Sequence, residues 1–574
     1  MPVHNQDIAA IFDEIADLLE LQEANPFRIR AYRRAAQTVR AQPHELADRV
    51  TEGRSPQKLP GIGKDLEGKI REILDTGRCK TLDGLKTKVP RGLEDLLHVP
   101  GLGPARVRRL REELGVTSPS RLLSAIEAGR LTGVKGFGPR LEAKLSAALA
   151  NPVTGERMLR ATAAGYAASL VRHLERVPGV EDVTVAGSFR RGRETVGDLD
   201  LLVASRRPAA AMKAFTGYDE VREVLAAGDT RCSVRLACGL QVDLRIVPRD
   251  SHGAALHYFT GSKAHNIHVR RIGQRKGLKI NEYGVFKGKQ RIAGRTEESV
   301  FSSVGLPWIP AELREDRGEI EAAAKDALPV LVERRQLRGD LHVHTQATDG
   351  TASLAAMANA AREAGLSYMA CADHSRYLGA YRGLDEKRLR RQLEEIDRFN
   401  AKARRFTILK SIEVDILADG SLALPDAVLA ELDLVVGAVH SHFDLGRRKQ
   451  TSRLLRAIGH PHFSILAHPS GRLINEREPM ALDLDRVVAA CAERGCFVEL
   501  NSQPSRLDLD DAGCRLAAEH GVRVSIASDA HRCEDFSTLE WGVTQARRGW
   551  LGPGDVLNTL PLAQLRRLLR RTMS

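Results

Sequence analysis

The sequence predicts a multidomain α/β fold, with a helical front part, a central mixed β-sheet and a C-terminal distorted β/α barrel, on three observations. Gly-x-Gly turns followed by basic amphipathic helices recur three times before residue 150. Alternating carboxylates then stand in a strand-like run near residue 200. Beyond residue 338, histidines and carboxylates recur at the C-terminal ends of apolar runs separated by helical stretches. At 574 residues the chain has room for about four domains, each able to bury its own core.

Composition narrows the function classes. A net charge of +13 with 4% aromatic residues suits a chain that meets a polyanion. The first residues, MPVHNQDIAAIFDEIADLLELQ, offer no charged region followed by an apolar core, and no apolar run reaches the ~18 residues that span a bilayer. A cytoplasmic, nucleoid-associated monomer without membrane contact is therefore expected. The eight cysteines form no CxxC pair and read as reduced thiols.

The first 150 residues read as helical from the periodic apolar positions in IAAIFDEIADLLELQ and AYRRAAQTVRAQ. Three related segments punctuate them: LPGIGKDLEGKIREIL, VPGLGPARVRRLREEL and GVKGFGPRLEAKL. Each is an apolar residue, a Gly-x-Gly turn and a basic amphipathic helix, which is how a helix-hairpin-helix element is written. Gly61, Gly63, Gly101, Gly103, Gly136 and Gly138 would let the backbone approach a phosphate, whose charge meets the N–H groups of the following helix start. Such contacts read no base, so binding to DNA is expected to be sequence-independent and salt-sensitive.

In AGSFRRGRETVGDLDLLVAS, Asp198 and Asp200 sit two apart on a strand, on one face and about 7 Å from each other, while Leu199, Leu201 and Val203 turn to the core. Close carboxylates repel unless cations neutralise them. A third acid, Asp243 in LQVDLRIVP, would complete an oxygen-rich site suited to Mg²⁺ or Mn²⁺ in two-metal phosphoryl transfer. Upstream, Gly187 and Ser188 open a turn that offers backbone N–H groups and a hydroxyl to a triphosphate, with Arg190 and Arg191 beside it.

With HYFTGSKAHNIHVRR and KINEYGVF following in order, the chain to about Trp308 resembles the nucleotidyltransferase superfamily, and within it the family X DNA polymerases. The resemblance implies a nucleotidyltransferase palm with a thumb. It implies that Asp198 and Asp200 bind both metals and that Asp243 binds the catalytic one and helps activate the primer 3′-OH. Ser188 and Arg191 would hold the β and γ phosphates. Tyr258 and Phe259 would face the sugar, Gly261 would let the chain pass close to the nucleotide, Asn266 would reach the minor-groove edge of the base, and Arg270 the template. Gln241 stands where polymerase beta has an arginine, and Lys263 where it has an acid. Lys69 falls on the lysine that forms a Schiff base during removal of a 5′-deoxyribose phosphate, a reaction that needs a depressed amine pKa. Asp65 replaces a lysine of that pattern.

After Trp308, ELREDRGEIEAAAKDALPVLVERRQL is charged, poor in glycine and reads as a helical connector. The chain restarts with GDLHVHTQATDG, where His342 and His344 share a strand face and Asp349 follows. His374, Glu413, His440, His468, Asp529 and His531 come next, almost every one at the end of an apolar run. That is the arrangement by which a β/α barrel gathers catalytic residues on one rim, and mixed imidazole and carboxylate ligands could hold up to three Mn²⁺ or Zn²⁺ ions. This region resembles the PHP phosphoesterase domain, and these nine positions match its metal ligands. The resemblance implies metal-assisted hydrolysis of phosphate esters. Arg472, Asn501 and Arg506 are candidate substrate-phosphate contacts; His442, His460 and His462 read as surface or supporting groups.

The expected organisation is a helical DNA-binding domain over 1–85, fingers over 86–150, palm over 151–250, thumb over 251–316, a linker over 317–337 and a PHP domain over 338–574. The expected function is gap filling on gapped or nicked duplex DNA with deoxynucleoside triphosphates in base-excision repair, joined to a 3′–5′ exonuclease or phosphoesterase. The alternative is a small-molecule PHP phosphatase, such as one for histidinol phosphate, with a non-catalytic DNA-binding front half.

Overall fold

The computed structural model describes the chain apart from residues 1, 2, 4, 41, 43–45, 52–55, 57, 58, 60, 98, 100, 132, 135, 139, 140, 143, 144, 147, 148, 150–156, 377–382 and 574. It divides into two compact units: residues 1–158 with 217–224 and 234–241, and residues 159–216 with 225–233 and 242–574.

The first unit is helical over its front, as the periodicity predicts. Helices Asn5–Leu21 and Pro26–Arg40 pack face to face, with Phe12 set edge-on to Tyr32 at 5.8 Å between ring centroids. Phe12 is fully buried, and its burial contributes about 2–3 kcal/mol. Helices Lys64–Thr76 and Pro104–Leu114 follow the first two Gly-x-Gly turns and bury Ile70, Ile73, Val107 and Leu110 in the same core. Much of the segment after Gly138, and the 150/151 boundary, lie outside the described residues.

The central sheet has the strand order Val180–Val185, Asp198–Ser205, Gln241–Val247, Arg231–Leu236, Val221–Ala227. Val180–Val185 runs antiparallel to Asp198–Ser205, with Val185 opposite Leu201. Helices His252–Thr260 and Lys263–Arg275 follow, then an antiparallel three-stranded sheet over Leu278–Ala293. Helix Glu297–Ser303 is started by a capping box between Thr296 and Ser299. The predicted helical connector is corrected here. Only Glu319–Ala324 is α-helical, with a 3-10 turn at Arg334–Gln336. Asp326 adopts φ +54°, and Pro329 lacks an N–H and pushes Leu328 out of the helical region, so a continuous helix cannot form.

The rear of the second unit is a parallel barrel drawn as two sheets, one of three strands from Gly339–Val343 to Thr407–Lys410 and one of five from Glu413–Asp415 to Val524–Ala527. Only Ser411 and Ile412 separate Thr407–Lys410 from Glu413–Asp415, so one bent strand serves both sheets. Single bridges join the seams, Val343 to Ala530 and His374 to Glu413. Leu341, Ala370, Leu409, Val436, Ile465 and Phe497, one from each of six strands, pack with Leu565 and Leu569 of the C-terminal helix. Among the described residues no helix is long and apolar enough to cross a membrane.

Central part and barrel meet through side chains. Glu194 accepts hydrogen bonds from Arg472 and from Gln545. Arg548 donates to the Arg191 carbonyl (2.7 Å), to Glu315 (3.0 Å) and to Asp511 (2.7 Å), and Arg547 to Glu312 (2.7 Å).

Candidate active sites

The three Gly-x-Gly turns have one local geometry. Gly61, Gly101 and Gly136 take φ +76°, +95° and +89°, a region closed to most side chains, and turn the chain into the next helix. Each turn is tied by the same backbone bond: Ile62 to Leu59, Leu102 to Val99 and Phe137 to Val134. Gly63 and Gly103 are the helix N-caps, and a Cβ at Gly63, Gly103 or Gly138 would meet nothing within 4 Å, which leaves the approach to the helix start open. Lys69, the lysine read as a Schiff-base amine, lies one turn into its helix. Its Nζ lies 2.5 Å from Asp65, and although burial opposes the charge most strongly, hydrogen bonds with Asp65 and Tyr32 raise its pKa. A Schiff-base amine requires the opposite shift.

In the central sheet, Asp198 and Asp200 lie half-exposed on one face of their strand, while Leu199 and Leu201 are buried. The Gly187 turn rests directly on this strand. The Ala186 N–H donates to the Asp200 carbonyl at 2.7 Å, Gly187 takes φ +61°, and a Cβ there would stand 2.0 Å from Asp200 Oδ2. Burial first, then the charges of Asp198 and Asp243, push the Asp200 pKa up to about 7. Crowded carboxylates offering oxygen donors only fit Mg²⁺ or Mn²⁺. Asp243 accepts a short hydrogen bond from the Ser233 hydroxyl. Among the described residues the tight groups, whose ligand atoms all lie within 4.8 Å of one another, are in the barrel rather than here.

The predicted nucleotide-contacting residues are already engaged. Arg190 pairs with the buried Glu297 through both terminal nitrogens (2.8 and 2.7 Å), and Glu297 also accepts from Arg314 at 2.6 Å. Arg191 pairs with Glu315 at 3.1 Å and donates to the Thr260 carbonyl at 2.6 Å, so a phosphate reaching Arg191 has to take the place of Glu315. Tyr258 and Phe259 stand edge to face at 5.1 Å, and Gly261 takes φ +70° with Arg191 beside it. Asn266 is 5% exposed and donates to the Tyr258 carbonyl, and Arg270 lies 5.7 Å over the Tyr258 ring.

In the barrel the predicted ligands converge. Three groups, His344/Asp349/His374/His531, His342/His344/Asp529 and His374/Glu413/His440, each bring their ligand atoms within 4.8 Å of one another. His468 joins them through Glu413, at 3.0 Å. His342 Nε2, both ring nitrogens of His344 and Glu413 Oε2 are buried without a hydrogen-bond partner, which is the state of donor atoms shaped for an ion. Burial, and then the charges of His531 and His374, press His344 down to about 4. Burial opposes the charge of His440 and His531 as well, yet carboxylates beside them lift both to about 9. Sites holding mixed imidazole and carboxylate donors suit Mn²⁺ or Zn²⁺.

Sequence reasoning missed the groups that orient these ligands. Glu499 accepts from His342 Nδ1 at 2.6 Å and Asp415 from His440 Nδ1 at 2.9 Å. Asp373 accepts from Thr345 and Gln392 and so fixes the loop that carries Asp349. Glu413 and Asp415 share a strand face, so the spacing in SIEVDIL did carry the signal for Asp415. Of the substrate-contact candidates, Arg472 is paired with Glu194, and Asn501 is fully buried and donates to Asp529 and Glu499. His460 pairs with Asp426 at the surface. Among the described residues no cysteine is in a disulfide.

Comparison with known proteins gives five family matches. Residues 3–79 match the helix-hairpin-helix domain, 93–151 the SAM-like helix-hairpin-helix tandem, 157–229 the DNA polymerase beta palm, 255–315 the DNA polymerase beta thumb and 340–503 the PHP domain. The chain is 38% identical over 578 residues to the DNA polymerase/3′-5′ exonuclease PolX of Bacillus subtilis (strain 168), covering 99% of this chain and 100% of that protein. It is 27% identical over 287 residues to DNA polymerase lambda of Rattus norvegicus, covering 44% and 47%. It is 29% identical over 230 residues to a probable phosphatase of Caldanaerobacter subterraneus subsp. tengcongensis, covering 36% and 82%.

Proposed function

The chain belongs to the family X DNA polymerases that carry a PHP domain, and we propose that it fills short gaps in duplex DNA and trims 3′ ends at its barrel. The observation that supports the polymerase reading is the contact of the Gly187 turn, read as the triphosphate-binding turn, with Asp200 of the self-repelling carboxylates. Ser188 and the turn's backbone hold the triphosphate, and Arg191 leaves Glu315 to join them. Tyr258 and Phe259 shape the sugar side. The Gly-x-Gly turns grip the duplex by its phosphates, whatever its sequence.

Asp198, Asp200 and Asp243 hold Mg²⁺ or Mn²⁺, and the nine barrel residues hold up to three Mn²⁺ or Zn²⁺ ions. When bound, these ions supply charge neutralisation and Lewis acidity to phosphoryl transfer and to hydrolysis. In the barrel, Glu499 and Asp415 fix the tautomers of His342 and His440 so that each ring presents Nε2 to the cluster. Asp243, which accepts from Ser233, is the carboxylate that would receive the primer hydroxyl's proton.

Extension of a primer across a one-nucleotide gap, followed with and without nucleotides and compared with phosphate release from small esters, tests this. Gap filling in Mg²⁺ or Mn²⁺ with 3′ trimming when nucleotides are withheld is expected. Turnover of small esters alone would favour the phosphatase reading.

A further inference from the structure

Arg548 ends the barrel helix Leu539–Arg548, yet its guanidinium serves the central sheet. The side chain is 2% exposed. Its Nη1 donates to the Arg191 carbonyl at 2.7 Å and to Glu315 Oε1 at 3.0 Å, and its Nη2 donates to Asp511 at 2.7 Å. Glu315 Oε1 is the same oxygen that accepts from Arg191 Nε at 3.1 Å. One carboxylate oxygen is therefore shared between a cation of the turn that begins at Gly187 and a cation of the barrel. Burial opposes the Glu315 charge most, but the two guanidiniums hold its carboxyl below the ordinary 4.5, so it stays ionised between them.

The surroundings of this carboxylate are fixed. Glu319 accepts from the N–H groups of Asp316 (2.9 Å) and Arg317 (2.7 Å), and His265 lies 2.7 Å from Glu319, so the loop that carries Glu315 is anchored. Asp511 has a second cation, Arg317, at 3.0 Å, and does not depend on Arg548 alone. Among the described residues the ion-pair partners of Glu315 are Arg191 and Arg548. Once a triphosphate draws Arg191 away, Arg548 is the cation that remains. A largely buried carboxylate stripped of both cations is costly, whereas one that keeps a cation and a hydrogen bond is not.

We infer that Arg548 is a positioning residue of nucleotide addition supplied by the barrel: it keeps Glu315 when the incoming triphosphate takes Arg191, and so sets how readily the nucleotide is accepted. This rests on the reading of Arg191 as a triphosphate ligand. Glu315 stands in for phosphate on Arg191 before the nucleotide arrives, and Arg548 is where that carboxylate stays afterwards. The barrel then contributes to nucleotide binding through one side chain, apart from any chemistry at its own ligand cluster.

The test measures KM and kcat for the incoming nucleotide on a one-nucleotide gap in Mg²⁺, with the full-length protein. Arg548→Gln should raise KM about tenfold, the size of one charge-assisted hydrogen bond, with kcat unchanged. Glu315→Gln, which removes the competitor of the phosphate, should lower KM about threefold, a gain that loss of structure does not produce. In the double variant the Arg548→Gln penalty should disappear, because no carboxylate is left to accommodate. Trimming of a labelled 3′ end should be equal in all of these proteins. A full penalty in the double variant, a Glu315→Gln KM at or above that of the wild type, or a loss of trimming in Arg548→Gln assigns Arg548 to structure and overturns the inference. An Arg191→Gln protein with the wild-type KM overturns the underlying reading of Arg191 instead.

Discussion

Arg472, four residues beyond the barrel ligand His468, forms an ion pair with Glu194, four residues before the first central aspartate, Asp198. Gln545 donates to the same carboxylate. Glu194→Ala strips these partners and leaves Arg472, whose side chain is 12% exposed, without its counter-charge. The variant should lose about 2 kcal/mol, as charged hydrogen bonds do, whereas removing the exposed pair Arg206–Glu181 should cost under ~0.5 kcal/mol. Calorimetric unfolding of the two variants reads the difference.

Separate chemistry should follow separate ligand sets. Asp200→Ala is expected to abolish nucleotide addition while 3′ trimming continues, and His344→Ala to do the reverse. One gapped substrate assayed in both modes decides it; loss of both activities in either variant contradicts independent sites.

Gly187→Ala puts a methyl group 2.0 Å from Asp200 Oδ2 at a φ of +61°. Either the turn or the carboxylate must move, and a displacement of about 1 Å costs about 100-fold in rate. Single-nucleotide incorporation should fall by that factor, with trimming at the barrel unaffected.

The buried cluster of Glu297, Arg190 and Arg314 sets an acid limb. Burial opposes the Glu297 charge most, but the two arginines overcome it and hold the carboxyl well below its ordinary 4.5. A depressed folded pKa gives stability that is present above the unfolded value and drains as pH falls below it. Glu297→Gln should therefore be less stable than wild type near neutrality and lose less of its stability on acidification to about pH 3, as urea titrations at the two pH values would show.

Asp200 works in the other direction. With its pKa lifted from 3.8 to about 7, the metal-free folded state keeps a proton that the unfolded chain has released, so this carboxyl makes stability fall as pH rises between those values. Asp200→Asn should flatten that slope in chelator. Added Mg²⁺ should raise the melting temperature of the wild type more at pH 8 than at pH 5.5, since ion and proton compete for one group.

Period and spacing made much of this legible. The alternation of Asp198, Leu199, Asp200 and Leu201 placed acids and core correctly, and strand ends pointed to the eight barrel residues that lie in tight groups, with His468 beside Glu413, because both signals are local. What stayed hidden depends on partners distant in sequence. Nothing near Arg191 in the sequence announces Glu315 beside it, and nothing near Arg472 announces Glu194. The connector failed for a different reason: helix-prone composition over Glu312–Leu337 gave way to one backbone geometry at Asp326 and Pro329.

The barrel's hydrogen-bonded ladder breaks at two seams, where it is held by the lone bridges Val343–Ala530 and His374–Glu413. His342, His344, Asp529 and His531 flank the first, and the second is itself a pair of candidate ligands. An ion held by these residues would tie the two sides of each gap like a rivet across staves. Stripping it should let these two places breathe first, with amide protons around Val343 and Glu413 exchanging with solvent before the rest of the wall loosens.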